Sequence, residues 1–181
     1  GSLTAAAPVV TGMPDVVAAI GKDGAIHAVS ATSKSLVSLE TSDKGWKEAT
    51  NTSLKLTAGT DLAITAVGDK PVVLERSTGI LHLPEGKTVN LDTSGLALQQ
   101  PGPDADSVLV ASRNELISIP LDGGKVTRTP SSKEKSAPEG VAAQPVRLGK
   151  CVYAAWSGSG QFVRSCSGLF SGGTETLHDD K

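Results

Sequence analysis

A short apolar hairpin recurs four times in this chain of 181 residues, and few architectures accommodate that pattern. The runs are Asp15-VVAAIGKDGAIHAVS, Pro71-VVLERSTGILHLP, Ser107-VLVASRNELISIP and Cys151-VYAAWSGSGQFVRSC. Their first valines, Val16, Val72, Val108 and Val152, are 56, 36 and 44 residues apart. A period averaging about 45, with strands rather than helices in each unit, is the size of one β-propeller blade.

Each unit reads as four strands joined by tight turns. The second strands are VVAAI, VVLE, VLVAS and VYAAW, and the third strands are AIHAVS, ILHLP, ELISI and QFVRS. The G-K-D-G, R-S-T-G, R-N and S-G-S-G links between them suit hairpin turns. First strands are expected at Pro8-VV, Leu62-AITAV, Leu96-AL and Pro145-VRL, and fourth strands at Leu36-VSL, Thr88-VNL and Lys125-VTR. The tail SGLFSGGTETLHDDK alternates too little to supply the last fourth strand. The expected blades are therefore 8–40, 62–92, 96–128 and 141–170 of one all-β domain, with 171–181 as a tail. Residues 41–61 and 128–140 become outer connections. Four blades is the lower limit for closing a ring, so the chain is a four-bladed propeller or part of a larger one. In the second case a second copy (a homodimer) or further blades complete it. A β-sandwich is the alternative, since buried sandwich strands also favour Val and Ala.

Composition narrows the partners. Net charge is −2 with both signs dispersed, so no basic stripe exists to neutralise phosphates and no nucleic-acid partner is expected. No apolar run approaches the roughly 20 residues that span a bilayer, so this segment is not expected to insert in a membrane. The opening Gly1-Ser2 reads as an expression remnant, which leads to the expectation of a longer parent. Only five residues are aromatic, which argues against a lectin, because sugar sites stack rings on exposed aromatic faces.

Cys151 and Cys166 are the only cysteines. With the S-G-S-G turn at 157–160, Trp156 faces Gln161 and the register carries on to Ala155 with Phe162, Tyr153 with Arg164 and Cys151 with Cys166. Facing positions in an antiparallel pair are close enough for a bridge. The alternative is two reduced, buried cysteines of a cytosolic protein. A bridge implies an oxidising, extracytoplasmic compartment. Metal binding is disfavoured, because the spacing is not C-x-x-C and no histidine lies near.

The stretch Ala143-QPVRLGKCVYAAWSGSGQFVRSC-Ser167 resembles the PVRL-G-CV-AAW-G-G-YVR-C pattern of large actinobacterial surface proteins, bifidobacterial ones among them. It matches at Pro145-VRL, Cys151, Ala154-AW, Val163-Arg164 and Cys166, over about 25 residues, with Phe162 where the family often has Tyr. The resemblance implies a membrane-anchored parent, a propeller-like extracellular region with a Cys151–Cys166 disulfide, and trailing fibronectin type III or Ig-like domains. It carries over no catalytic residues.

Other constellations are weak. His27 and His82 are read as equivalent positions in third strands, and His178 lies in the tail; none has a ligand cluster attached. No serine sits in G-x-S-x-G. Ser42-DKGW is a partial S-x-D-x-G-x-x-W turn with its Trp two positions early. Asp104 and Asp106 in Gln99-QPGPDAD form a D-x-D on a loop, too few oxygens for Ca²⁺. They are candidate loop contacts, and in the competing reading they are the acid and base of a propeller glycan hydrolase. No cofactor is expected. The reading reached is a non-enzymatic extracellular interaction or scaffold segment at the cell surface. Its partners are expected to be proteins, host proteins among them, engaged through loops such as 99–106 and 128–140.

Overall fold

In the computed structural model residues 15–133, 138–166 and 173–176 are described. Expectations for Pro8-VV and His178 fall outside them. The described residues form four antiparallel sheets in chain order. Sheet one holds β1 (Val16–Ile20), β2 (Ile26–Ser30), β3 (Ser35–Ser42) and β4 (Gly45–Ser53). Sheet two holds β5 (Leu62–Val67), β6 (Lys70–Glu75), β7 (Ile80–His82) and β8 (Thr88–Asn90). Sheet three holds β9 (Ala97–Leu98), β10 (Ser107–Ala111), β11 (Glu115–Pro120) and β12 (Thr127–Pro130). In sheet four, β13 (Val141–Ala142) and β14 (Val146–Leu148) pair with the same strand, β15 (Cys151–Ser157). Then come β16 (Gln161–Cys166) and β17 (Gly173–Thr176). Pro145 lies between β13 and β14; lacking an N–H, it interrupts the ladder.

Successive sheets pack face to face, and each of three apolar clusters belongs to one seam. Val29 of sheet one meets Leu56, Leu62 and Val73, with Val17, Leu36 and Ile64 packed around them. Between sheets two and three, Val72, Leu74 and Leu81 join Val108, Val110, Ile117 and Ile119. Between three and four, Leu109, Ala111 and Leu116 join Val152, Ala154, Trp156 and Val163. Strand geometry explains the division, because neighbouring residues point to opposite faces: Val108 and Val110 go to one seam, Leu109 and Ala111 to the next. At roughly 1.5–3 kcal/mol for each fully buried Val or Leu, these seams are the main source of stability. The sheets are thus blades of a propeller, not the two layers of a sandwich.

Polar bonds lock the seams. The Trp156 indole N–H donates to the Ser112 carbonyl at 2.6 Å, and the Gln144 amide donates to the Leu98 carbonyl at 3.2 Å. Among the described residues no apolar cluster joins sheet four to sheet one, so the blades form an arc.

The structure corrects four expectations. The hairpin Asp15-VVAAI…HAVS is the first and second strand of its blade, not the second and third. Residues 45–53, read as connection, are β4, joined to β3 by a turn where the Ser42 hydroxyl donates to the Gly45 carbonyl at 2.7 Å. The fourth strand of the last blade lies in the supposed tail, as β17. In the third blade, the fourth strand runs to Pro130 rather than ending at Arg128.

The cysteine register is as read from the sequence: Trp156 with Gln161, Ala155 with Phe162, Tyr153 with Arg164 and Cys151 with Cys166. The two cysteines are disulfide-bonded, with a Cα–Cα distance of 4.0 Å. Thiol titration of the untreated protein is expected to find no free thiol, and two after reduction. Replacing both cysteines by serine is expected to cost about 3 kcal/mol in chemical denaturation, the chain-entropy value for so short a loop.

Candidate functional site

Three surfaces have the chemistry to be functional, and each arises where blades meet or fail to meet. The first is a rim where the links between first and second strands stack edge to edge. Lys22 N–H donates to the Gly68 carbonyl at 3.0 Å, and Gly68 N–H donates to the Gly102 carbonyl at 3.0 Å. Gln100 N–H in turn reaches the Pro145 carbonyl at 2.9 Å, so all four blades are tied on this side. Asp104 leans across Gly68 to pair with Lys22, linking blade three to blade one over blade two. Gly68 is required there: its φ is +61°, and a Cβ would sit 2.0 Å from the Asp104 Oδ1. Both partners are more than half exposed, so solvent screens the pair and it adds little to stability. Its hydrogen bond and charge raise the Lys22 pKa.

Asp106 acts on another blade through its charge, without a direct ion pair among the described residues. Arg147 donates to the Ser107 carbonyl at 3.2 Å and hydroxyl at 3.1 Å, while burial weighs against its charge and Asp106 offsets part of that. The two aspartates proposed from sequence thus serve two different cations on the two flanking sides of the third blade. Neither lines the cleft between blades one and two.

That cleft, about 590 Å³, is the second surface. It lies between the outer strands of blade one and the turns of blade two, lined among others by His27, Ser38, Thr50, Asp69, His82 and Lys87. His27 is on β2 and His82 on β7, so they occupy different strand positions and are not repeat equivalents. Nδ1 of His27 is 2.8 Å from the Ser38 hydroxyl, while its buried Nε2 has no partner. Burial lowers the His27 pKa, with Asp23 and Asp69 pulling the other way.

Behind His82 lies Glu75, fully buried, its Oε1 2.7 Å from the His82 Nε2. The other carboxylate oxygen accepts from Thr57 N–H at 3.1 Å and from the Thr78 hydroxyl at 3.4 Å. Burial pushes the Glu75 carboxyl up, but the bonds from His82 and Thr57 together outweigh it and hold its pKa below the usual carboxylate range. A histidine backed by a carboxylate is general-base equipment. Among the described residues, however, no serine, threonine or cysteine side chain is hydrogen-bonded to His82. The pair ties the 54–61 connection to blade two. Sequence reading passed over Glu75, although a carboxylate ending the apolar run Val72-VLE is itself a sign of a satisfied buried polar group.

The third surface is the pair of end faces. Within sheets two and three burial is continuous along the central strands: Val72, Val73, Leu74 and Glu75 of β6 are all buried, as are Val108 to Ala111 of β10. In β15 it alternates instead. Val152, Ala154 and Trp156 are buried, while Cys151, Tyr153 and Ala155 on the other face are only half-buried. The outward face also carries Phe162, whose ring is 6.2 Å from that of Tyr153, and Leu148, which is 63% exposed. On β1, Val16, Ala18 and Ile20 are exposed. The exposed large hydrophobics of the described residues are Val16, Ile20, Val141 and Leu148, all on the first or fourth sheet.

No family model matches the chain, and no curated protein matches it. Solved structures do. Virginiamycin B lyase from Staphylococcus aureus is similar over 88% of this chain and 54% of its own, at 15% identity and a TM-score of 0.58. A streptogramin B lyase is similar over 90% and 54%, at 14% identity and a TM-score of 0.55. An essential bacterial surface component of the type-IX secretion system of Porphyromonas gingivalis is similar over 91% of this chain and 21% of its own, at 13% identity and a TM-score of 0.56. The chain spans about half the length of the two lyases. At these identities the likeness is one of fold, and the fold is that of propeller blades.

Two outcomes test the cleft. Glu75→Ala leaves the Thr57 N–H and His82 without their acceptor and is expected to destabilise by about 2–3 kcal/mol in urea denaturation. His27 titrates near 6.5 when unfolded and lower when folded, so between those values the unfolded chain binds more protons. Stability is therefore present above about 6.5 and declines as pH falls through that window toward the folded value. The melting temperature is expected to drop between pH 7.5 and 5.5, and to drop less in His27→Gln.

Proposed function

We propose that this chain is a non-enzymatic, extracytoplasmic interaction module, an arc of propeller blades that engages protein through its end faces. The observation that carries the reading is the concentration of exposed large hydrophobics on the two end sheets. Exposed apolar side chains gathered on particular faces, rather than scattered singly, point to a contact site. The Cys151–Cys166 bridge fits an oxidising compartment. The likeness of Pro145-VRL…Cys166 to actinobacterial surface proteins supports a place outside the cell on a membrane-anchored parent. That a similar arc occurs in a secretion-system surface component is compatible with this address.

The loops first expected to make contacts take a secondary part in this reading. Asp104 in 99–106 is already engaged by Lys22, and Gly140 N–H in 128–140 donates to the Arg113 carbonyl at 3.0 Å. The hydrolase reading needs two carboxyls about 5–10 Å apart facing a cleft, and Asp104 and Asp106 face separate cations instead.

The test is capture of protein from cell-surface extracts on immobilised chain. Leu148→Asp is expected to reduce capture at least tenfold, while Asp104→Ala leaves it unchanged, both with the circular dichroism spectrum of the unaltered chain. Undiminished capture by Leu148→Asp contradicts the end-face reading. Release of sugar from a glycan panel, lost in Asp104→Ala, contradicts the non-enzymatic one.

A further inference from the structure

The two end faces are the two halves of one seam. Every internal seam joins the face that one blade turns forward to the face that the next blade turns back. Leu62 and Ile64 of β5 face back toward the first blade, and Val108 and Val110 of β10 face back toward the second. Leu109 and Ala111 face forward, and the fourth blade receives them with Val152 and Ala154.

The fourth blade turns forward Leu148, Cys151, Tyr153, Ala155 and Phe162, and nothing receives them among the described residues. Register places them together: Leu148 pairs with Cys151, Ala155 with Phe162, and Cys151 with Cys166. The first blade turns back Val16, Ala18 and Ile20, because Val17 between them packs toward the second blade. Burial with period two in β1 and β15, against continuous burial in β6 and β10, marks sheets with one neighbour instead of two. Among the described residues the chain thus carries a forward face and a back face, each without its counterpart.

We infer that the counterpart is a second copy of this chain, joined head to tail so that the fourth blade of each packs on the first blade of the other. This rests on the end-face reading above and names its partner, so the protein captured through Leu148 is then another copy of this chain. Length supports it: one copy matches 54% of the staphylococcal lyase, so two supply about one ring. Four blades from each make eight, within the four to eight typical of propellers. The two new seams are identical and related by a two-fold axis along the ring, which makes the assembly closed rather than a growing filament. The disulfide then lies inside a new seam, bracing the β15–β16 pair that carries most of the forward face.

Sedimentation equilibrium of the full chain at 1–100 µM tests this directly. The expected particle has twice the chain mass. Leu148→Asp and Ile20→Asp each place a charge in both seams, and each is expected to sediment as a monomer with the wild-type circular dichroism spectrum and with the lower melting temperature of a chain that has lost its partner. Mixing the two variants at 100 µM is expected to restore dimer. In the mixed pair one seam holds both substitutions and the other holds neither. A monomeric wild-type chain overturns the second-copy assignment; if it still captures surface protein through Leu148, the end-face reading survives alone. Variants that remain dimeric, or a mixture that stays monomeric, overturn the head-to-tail seam.

Discussion

Stability in this chain depends on sheets that are apolar on both faces. Neighbouring residues of a strand point opposite ways, so a strand such as Ser107–Ala111 sends Val108 and Val110 into one seam and Leu109 and Ala111 into another. No blade encloses a core of its own. Each owes its burial to the blades beside it, as expected of repeat architectures whose units cannot cover their apolar faces alone. The middle seam is the largest, with fourteen fully packed residues against seven and four in the outer two among the described residues. The arc is therefore held most firmly at its centre.

The surfaces with chemical potential follow from that plan. Where blades abut, their links lie close enough to be sewn by backbone bonds, and Asp104 reaches Lys22 across a glycine that leaves it room. Where outer strands diverge, a cleft opens against the buried histidine end of the Glu75–His82 pair. Where the arc stops, apolar faces are left over. Rim, cleft and end faces are three consequences of radial packing.

Much of this was legible in the sequence. The recurring hairpins gave the architecture because turn residues and alternating Val and Ala encode local pairing. The cysteine register followed from one turn position and a period of two. The phase of the first blade was not legible, since Val16-VAAI and Val72-VLE look alike while one opens its sheet and the other is second in its own. Strand β4 was missed because nearly all of it is exposed: outermost strands have no apolar alternation to show. Strand β17 was missed for the same lack of alternation, its place being set by pairing with β16. Long-range partnerships such as Asp104 with Lys22 depend on which links stack, and local pattern does not encode that.

The account is tested most directly by methyl–methyl nuclear Overhauser effects in a selectively labelled sample. Radial packing predicts that Leu109 and Ala111 show cross-peaks to Val152 and Ala154, while Val108 and Val110 show them to apolar residues of the second blade. If Val108 and Leu109 instead share the same partners, or Leu109 meets no residue of the fourth blade, the division of each sheet between two seams is wrong, and the propeller arc with it.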